Sequence, residues 1–283
     1  MDIQNAMMVI YPVQLLFDKE VNLDSAALLT SLKELGLNVT ETKLEKGEKD
    51  ESRSFSAFKI NEVEVDLGGK KVAPLLLFTP EASLKDLAGV QGALDQSWDF
   101  DKENIDVRGL SHSILVSDMF SHSQPHIERM DNIRKAVLAV LDQADCQAIY
   151  WQPSNHFLSP EKFLQVQSQP DYNWIFAGFV NVRMFNIQNK PGDLLMDTLG
   201  LTAMGLADLQ CHFRKLDPND IAAKLFDTAY YIFSNGMVIE DGNTIGGLRP
   251  KDKWKCHYEK SLIGPDRIVI DINPGRKYAA GKR

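Results

Sequence analysis

The stretch FSAFKINEVEVDLGGKKVAPLLLF, residues 55–78, decides the fold class. Phe55, Ala57 and Lys59 alternate with Ser56 and Phe58. After Asn61, Val63 and Val65 alternate with Glu62, Glu64 and Asp66. Gly68-Gly69 has the composition of a two-residue hairpin turn, and Val72 to Phe78 follows as a buried strand. Alternation with period two, broken by a tight turn, implies antiparallel pairing with one sheet face wet.

Upstream, Met7 to Phe17 reads as a strand. Asn22 or Asp24 then caps a helix bearing Leu28, Leu32 and Leu35, and Gly36 stops it. Leu37 to Leu44 is a second strand, and the charged run Lys46 to Arg53 is a hairpin loop. Downstream, Ser83 and Asp86 form a capping box before a helix with Leu84, Leu87, Leu94 and Trp98. A strand near Leu110 to Asp118 precedes a helix over Pro125 to Gln143, whose stripe is Ile127, Met130, Val137, Leu138 and Leu141. Ala148 to Trp151 is a short strand, and Ser159-Pro160-Glu161 starts a helix.

In the second half, Phe176 to Ile187 reads as a strand turned by Lys190-Pro191-Gly192. Leu194 to Leu201 fits a strand or a short helix equally, and Asp208 to Phe213 is a strand. Asp217-Pro218 opens a helix through Ile221, Leu225, Ile232 and Phe233 that Asn235-Gly236 ends. Val238-Ile239, Trp254 to Tyr258 and Arg267 to Ile272 complete the strands, and Gly242 to Gly247 reads as a glycine-rich loop.

Strands and single helices mix without a strict βαβα alternation. The expected class is therefore α+β, with mostly antiparallel sheets, packed helices and two halves related to the ferredoxin-like βαββαβ unit. The expected domains are 1–150 and 151–275. Residues 276–283, with Arg276, Lys277, Lys282 and Arg283, are expected as a basic, disordered tail.

The chain has 283 residues, with 31 Lys and Arg against 39 Asp and Glu, a net charge of −8. Such an acidic chain argues against a nucleic-acid partner. No apolar run approaches the length of a membrane span, and no basic leader precedes the first apolar stretch. Three widely spaced cysteines, Cys146, Cys211 and Cys256, fit free thiols in a reducing cytoplasm. A monomer or homodimer is expected.

The sharpest polar feature lies between Phe179 and His212. Phe179, Asn181, Arg183 and Phe185 share one strand face. A guanidinium between phenylalanines is costly to bury alone, so it needs a carboxylate or phosphate partner. Asp197 is the natural one. If Leu195 to Leu201 is extended, Asp197 lies on the face of Leu195, Leu199 and Leu201. Asn181, Arg183 and Gln210 are thus candidate binding residues, and Asp197, Asp208 and His212 candidate catalytic ones. A structural Arg183–Asp197 pair explains the same pattern. Asp208, Gln210 and His212 share one face of their strand, expected as a solvated one, opposite Leu209, Cys211 and Phe213. On a strand, Asp208 and His212 are about 13 Å apart, too far to share a metal without further ligands. Glu240 and Asp241 in the following turn are candidates for that role.

Cys256-His257 repeats the dipeptide Cys211-His212, but adjacent strand residues face opposite ways and no CxxC accompanies them. His122 and His126 lack the glutamate of an HExxH motif. His112 reads as a core histidine and His156 as a loop residue. GxSxG, P-loop and GxGxxG motifs are absent from the sequence, so no cofactor is expected.

The run Met196-Asp197-Thr198-Leu199-Gly200-Leu201 continues through Gly205-Leu206-Ala207-Asp208-Leu209-Gln210-Cys211-His212-Phe213. Together with Gln96-Ser97-Trp98, Ala148-Ile149-Tyr150-Trp151, Asn181-Val182-Arg183, Tyr230-Tyr231-Ile232-Phe233 and Asp241-Gly242, it resembles a bacterial family known as a domain of unknown function, DUF4261. The likeness spans about residues 75–275 and is strongest over 181–242. Ala207 stands where the family pattern has proline. The resemblance implies a soluble α+β bacterial protein and brings no activity with it. The functional expectation is a binding or interaction module, adaptor or immunity-like, with a protein partner. The alternative is a hydrolase-like enzyme acting on an anionic substrate around Arg183, Asp197, Asp208 and His212, with or without a metal.

Overall fold

The Gly68-Gly69 turn does what its composition requires. In the computed structural model, which describes residues 10–43, 55–82, 84, 87–167 and 171–281, both glycines have positive φ, 65° and 91°. They join Leu67 to Lys70 as neighbours across a hairpin.

Fifteen strands and five α-helices are found among the described residues. The chain separates into two units, 1–153 with 157–165, and 154–156 with 166–283. In chain order the first half holds β1 (Val13–Phe17), α1 (Ser25–Glu34), β2 (Val39–Glu41), β3 (Ser56–Ile60), β4 (Val65–Leu67), β5 (Lys70–Val72) and β6 (Leu75–Ala82). α2 (Leu87–Gln96), β7 (His112–Met119), α3 (His126–Leu141), β8 (Ala148–Trp151), β9 (His156–Leu158) and α4 (Pro160–Val166) follow. Seven of these strands form one sheet in the order β2-β3-β6-β7-β1-β8-β9, and β4-β5 stands apart as a two-stranded ribbon. α1 starts where Asp24 accepts a bond from the Ala26 N–H and packs on α3. Leu28, Leu32, Ile133 and Val137 are buried there.

The second unit holds β10 (Asn181–Asn186), β11 (Asp193–Leu199), β12 (Asp208–Arg214), α5 (Pro218–Asn235), β13 (Thr244–Gly246), β14 (Lys253–Lys260) and β15 (Ile268–Asn273). The sheet order is β10-β11-β12-β15-β14-β13. Two three-stranded meanders are thus joined edge to edge, by β12 and β15 running parallel. α5 is the crossover between them. Asp217 caps it by accepting from Asn219 N–H, Pro218 occupies its first turn, and Gly236 at φ 79° ends it. Its buried stripe, Ile221, Leu225, Ala229, Ile232 and Phe233, packs against β10, β11 and β12.

Several expectations are corrected. Neither unit is a four-strand βαββαβ sheet. The first contains a split crossover, because β7 and β8 both run antiparallel to the β1 between them, but the sheet extends to seven strands. The second is the meander pair. Residues 171–176 form a 3-10 turn, so the strand expected from Phe176 starts at Asn181. Asp193–Leu199 is extended and Leu201–Met204 is a 3-10 turn, which divides the ambiguous segment between both alternatives. Val238-Ile239 is not a strand; β13 lies in the glycine-rich run instead. His112 is half-buried rather than core, and His156 is buried at the start of β9. The segment 276–281 is not a loose tail. Ala279 bridges to Phe213, Arg214 N–H donates to the Tyr278 carbonyl at 2.8 Å, and Ala280 is fully buried. The loop expected at Lys46–Arg53, the Ser83–Asp86 box, Lys282 and Arg283 lie outside the described residues.

Candidate functional site

Strand parity sorts the second sheet into two faces. Leu209, Cys211, Phe213, Trp254, Cys256, Ile270 and Ile272 are buried on the α5 side. The other face carries a row of polar residues in register across five strands, Arg183, Asp197, Gln210, Asp271 and His257. The sequence pattern predicts a solvated face for Asp208, Gln210 and His212. Instead all three are buried, together with Arg183, Asp197 and Asp271, and the 261–267 segment lies against this face, where Gly264 meets Arg183 and Leu262 meets Gln210.

Arg183 and Asp197 meet through Nε and Oδ1 at 2.9 Å, with a second bond from Nη2 to Oδ2. The sequence does not indicate the third member, Arg267. Its five N–H donors all find acceptors: Asp208 Oδ2 at 3.0 Å, Asp197 Oδ2 at 2.8 Å, and the carbonyls of Thr198, Ile263 and Pro265. Asp208 also accepts from the Thr198 and Thr202 hydroxyls and from Leu201 N–H. Burial pushes its carboxyl above the ordinary value, while Arg267, Thr202 and the Leu201 N–H oppose that shift. Two guanidinium groups and two carboxylates therefore form a closed, charge-balanced network. Such a set fixes one arrangement of the chain more than it adds net stability.

Arg183 also donates to the Gly264 carbonyl at 3.0 Å and lies 5.3 Å from the centre of the Phe185 ring. Asn181 is buried, and its Nδ2 has no hydrogen-bond partner among the described residues. Gln210 bridges outward, donating to Glu259 Oε1 at 2.6 Å and accepting from Leu262 N–H at 3.1 Å.

His212 belongs to a second group. Its Nε2 lies 3.4 Å from Asp271 Oδ1, and Glu259 completes a trio whose donor atoms all fall within 4.8 Å of one another. Glu240 and Asp241 are not in this trio. Asp241 Oδ1 instead accepts from Tyr258 N–H at 2.8 Å and sits 3.5 Å from His257 Nδ1. Sequence reasoning misses Glu259 and Asp271 because the β14–β15 register is not written in either strand. Asp271, flanked by Ile270 and Ile272, carries the same signal of a charge within an apolar strand that singles out Arg183.

A surface groove lies on the α5 side, lined by Lys224, Asp227, Thr228 and Tyr231 of α5, by Val238 and Ile239, and by β13. Tyr231 and Val238 are exposed there at 50% and 44%. β13 is the last strand of its sheet. The Asn243 carbonyl accepts from Cys256 N–H of β14 and Gly247 N–H donates to the Asp252 carbonyl just before it, so Thr244 and Gly246, at the positions between, point their backbone groups to the open edge.

No helix among the described residues is long and apolar enough to cross a membrane. No curated protein and no solved structure matches the chain. The family match takes in Asp197, Asp208, Gln210, His212, Glu259, Arg267 and Asp271, and stops short of Asn181 and Arg183. Residues 197–273 match the family model described as "Domain of unknown function (DUF4261)".

Proposed function

We propose that the chain is a cytoplasmic interaction module that binds an extended segment of a partner protein along β13. The observation that carries this reading is the open β13 edge beside exposed Tyr231 and Val238. An edge strand with outward N–H and C=O groups is a template for strand addition, and a neighbouring helix supplies pockets for alternate side chains. Exposed Arg249, Lys251, Lys253 and Lys255 lie on β14 and on the turn leading into it. They favour a segment with acidic residues between its apolar ones. The closed Arg183–Asp197–Arg267–Asp208 network supports the same reading, since its charges are spent on holding the fold. Three buried cysteines, none of them in a disulfide, support a reducing compartment.

Binding of labelled peptides of about ten residues, with Val or Ile alternating with Glu, tests this by fluorescence anisotropy. The acidic peptides bind, more weakly at high salt, and a matched set with Lys in place of Glu does not. Thr244→Pro removes an outward N–H at a position where an edge strand tolerates proline. Tyr231→Ala removes the aromatic wall. Each weakens binding at least about tenfold while circular dichroism stays unchanged. Equal binding of acidic and basic peptides, or variants that bind like the wild type, would sink the proposal.

A further inference from the structure

We propose that His212, Glu259 and Asp271 form a site for a divalent transition-metal cation, with Zn2+ the best fit. The three residues come from β12, β14 and β15, neighbouring strands of one sheet, and project from the same face. Their donor atoms lie within 4.8 Å of one another. Two ligands about 2.0–2.1 Å from a tetrahedral centre are separated by about 3.4 Å. His212 Nε2 and Asp271 Oδ1 are 3.4 Å apart, equal to that edge.

Burial is graded in the way a three-ligand site with an open position needs. The His212 and Asp271 side chains are 9% and 2% exposed, whereas Glu259 is exposed at the rim. Solvent can complete the coordination on that side.

The surroundings hold the ligands in place. Gln210 donates to Glu259 Oε1 at 2.6 Å and is itself fixed by Leu262 N–H at 3.1 Å. Such outer hydrogen bonds orient a ligating carboxylate. Gly281 lies against the imidazole, where a Cβ would sit 3.1 Å from Nδ1 and 3.2 Å from Cε1. Charge points the same way. Asp271 and Glu259 bring two carboxylates within 4.8 Å of each other beside the His212 imidazole. A dication offsets the repulsion of two such carboxylates. Cys211 and Cys256 face α5, so the site uses no thiolate. It is independent of the β13 groove.

Isothermal titration calorimetry of the full chain, stripped with a chelator and titrated with zinc chloride, tests the site. The wild type takes up one Zn2+ per chain. Glu259→Gln binds at least about tenfold more weakly, and Gln210→Ala shows a loss in the same direction. Glu240→Gln combined with Asp241→Asn leaves affinity unchanged. Because Glu259 is exposed, its substitution reports on the site without unfolding the sheet, which circular dichroism checks. A wild type that takes up no Zn2+, or a Glu259→Gln variant that binds as tightly, overturns the assignment. The second outcome would place any bound zinc elsewhere, for example on thiols.

Discussion

Arg183 and Asp197 stand directly opposite each other across β10 and β11, and the same Asp197 carboxylate receives Arg267 from 70 residues further along the chain. One side chain thus neutralises parts of two buried guanidinium groups. Asp197→Ala leaves both short of an anion in the interior. Breaking a buried pair costs about 3–5 kcal/mol, and the shared position puts this change at the upper end. Guanidinium chloride unfolding measures it. Replacing both partners by apolar groups, Arg183→Met with Asp197→Leu, is expected to cost less than Asp197→Ala alone, because one uncompensated charge leaves with its partner. An Asp197→Ala midpoint equal to that of the wild type would show that the pair does not hold the fold.

Arg267→Lys tests the fork geometry separately from the charge. The guanidinium feeds two carboxylates and three backbone carbonyls. An ammonium has three donors on one atom and cannot span them. At least two buried acceptors then lose their partner, at about 1–3 kcal/mol each. The loss should concentrate in the 261–267 segment, whose carbonyls at Ile263 and Pro265 are tied down by Arg267 Nη1. Hydrogen exchange at Leu262 and Ser261 is expected to speed up more than exchange in β10 or β11. Uniform acceleration across the sheet would count against this local role.

The cost of burying Arg183 alone, read from its flanking phenylalanines, is enough to point to Asp197. The helix from Asp217-Pro218 to Gly236 and the Gly68-Gly69 turn are equally plain in the sequence, because caps and turns are local. What local pattern cannot give is cover. Parity places Asp208, Gln210 and His212 on one face but does not say that the 261–267 segment closes over it, so the pattern predicts a wet face where a dry one exists. Arg267 is invisible for the same reason: it opens the expected strand Arg267 to Ile272, and nothing local says that it meets Asp197 and Asp208. β13 is hidden by its glycines, since three residues held in a sheet by β14 need no strand propensity of their own.

Gly200 sits where the chain leaves β11 for the 3-10 turn, at φ 130°. A Cβ there would come within 2.0 Å of the Phe179 carbonyl oxygen, and neither backbone can yield without moving a strand end. Gly200→Ala is expected to cost more than about 3 kcal/mol, through strain and a backbone clash together. Gly205, at φ 81° with nothing within 4 Å of a Cβ, isolates the conformational part. Gly205→Ala should cost about 1–2 kcal/mol. Thermal melts of both variants separate the two effects, and equal losses would mean that the close approach at Phe179 is relieved at no cost.

Cys146 gives a pH-dependent readout of the first unit. Burial pushes its thiol from an ordinary 9.0 up to about 12, and the Sγ donates to the Ala148 carbonyl at 3.2 Å. In the unfolded chain the proton leaves near the ordinary value, so between about pH 9 and pH 12 the folded state holds more protons. The contribution of Cys146 to stability is then intact below about pH 9. It falls as pH rises through the window, by up to about 1.4 kcal/mol per pH unit. Urea midpoints of the wild type should drop faster between about pH 9 and pH 10.5 than those of Cys146→Ala, which has nothing to titrate there. Native protein at about pH 8 should also react slowly with a thiol reagent, since the neutral thiol is a poor nucleophile. Parallel midpoint curves for the two proteins would show that Cys146 reaches water before the unit unfolds.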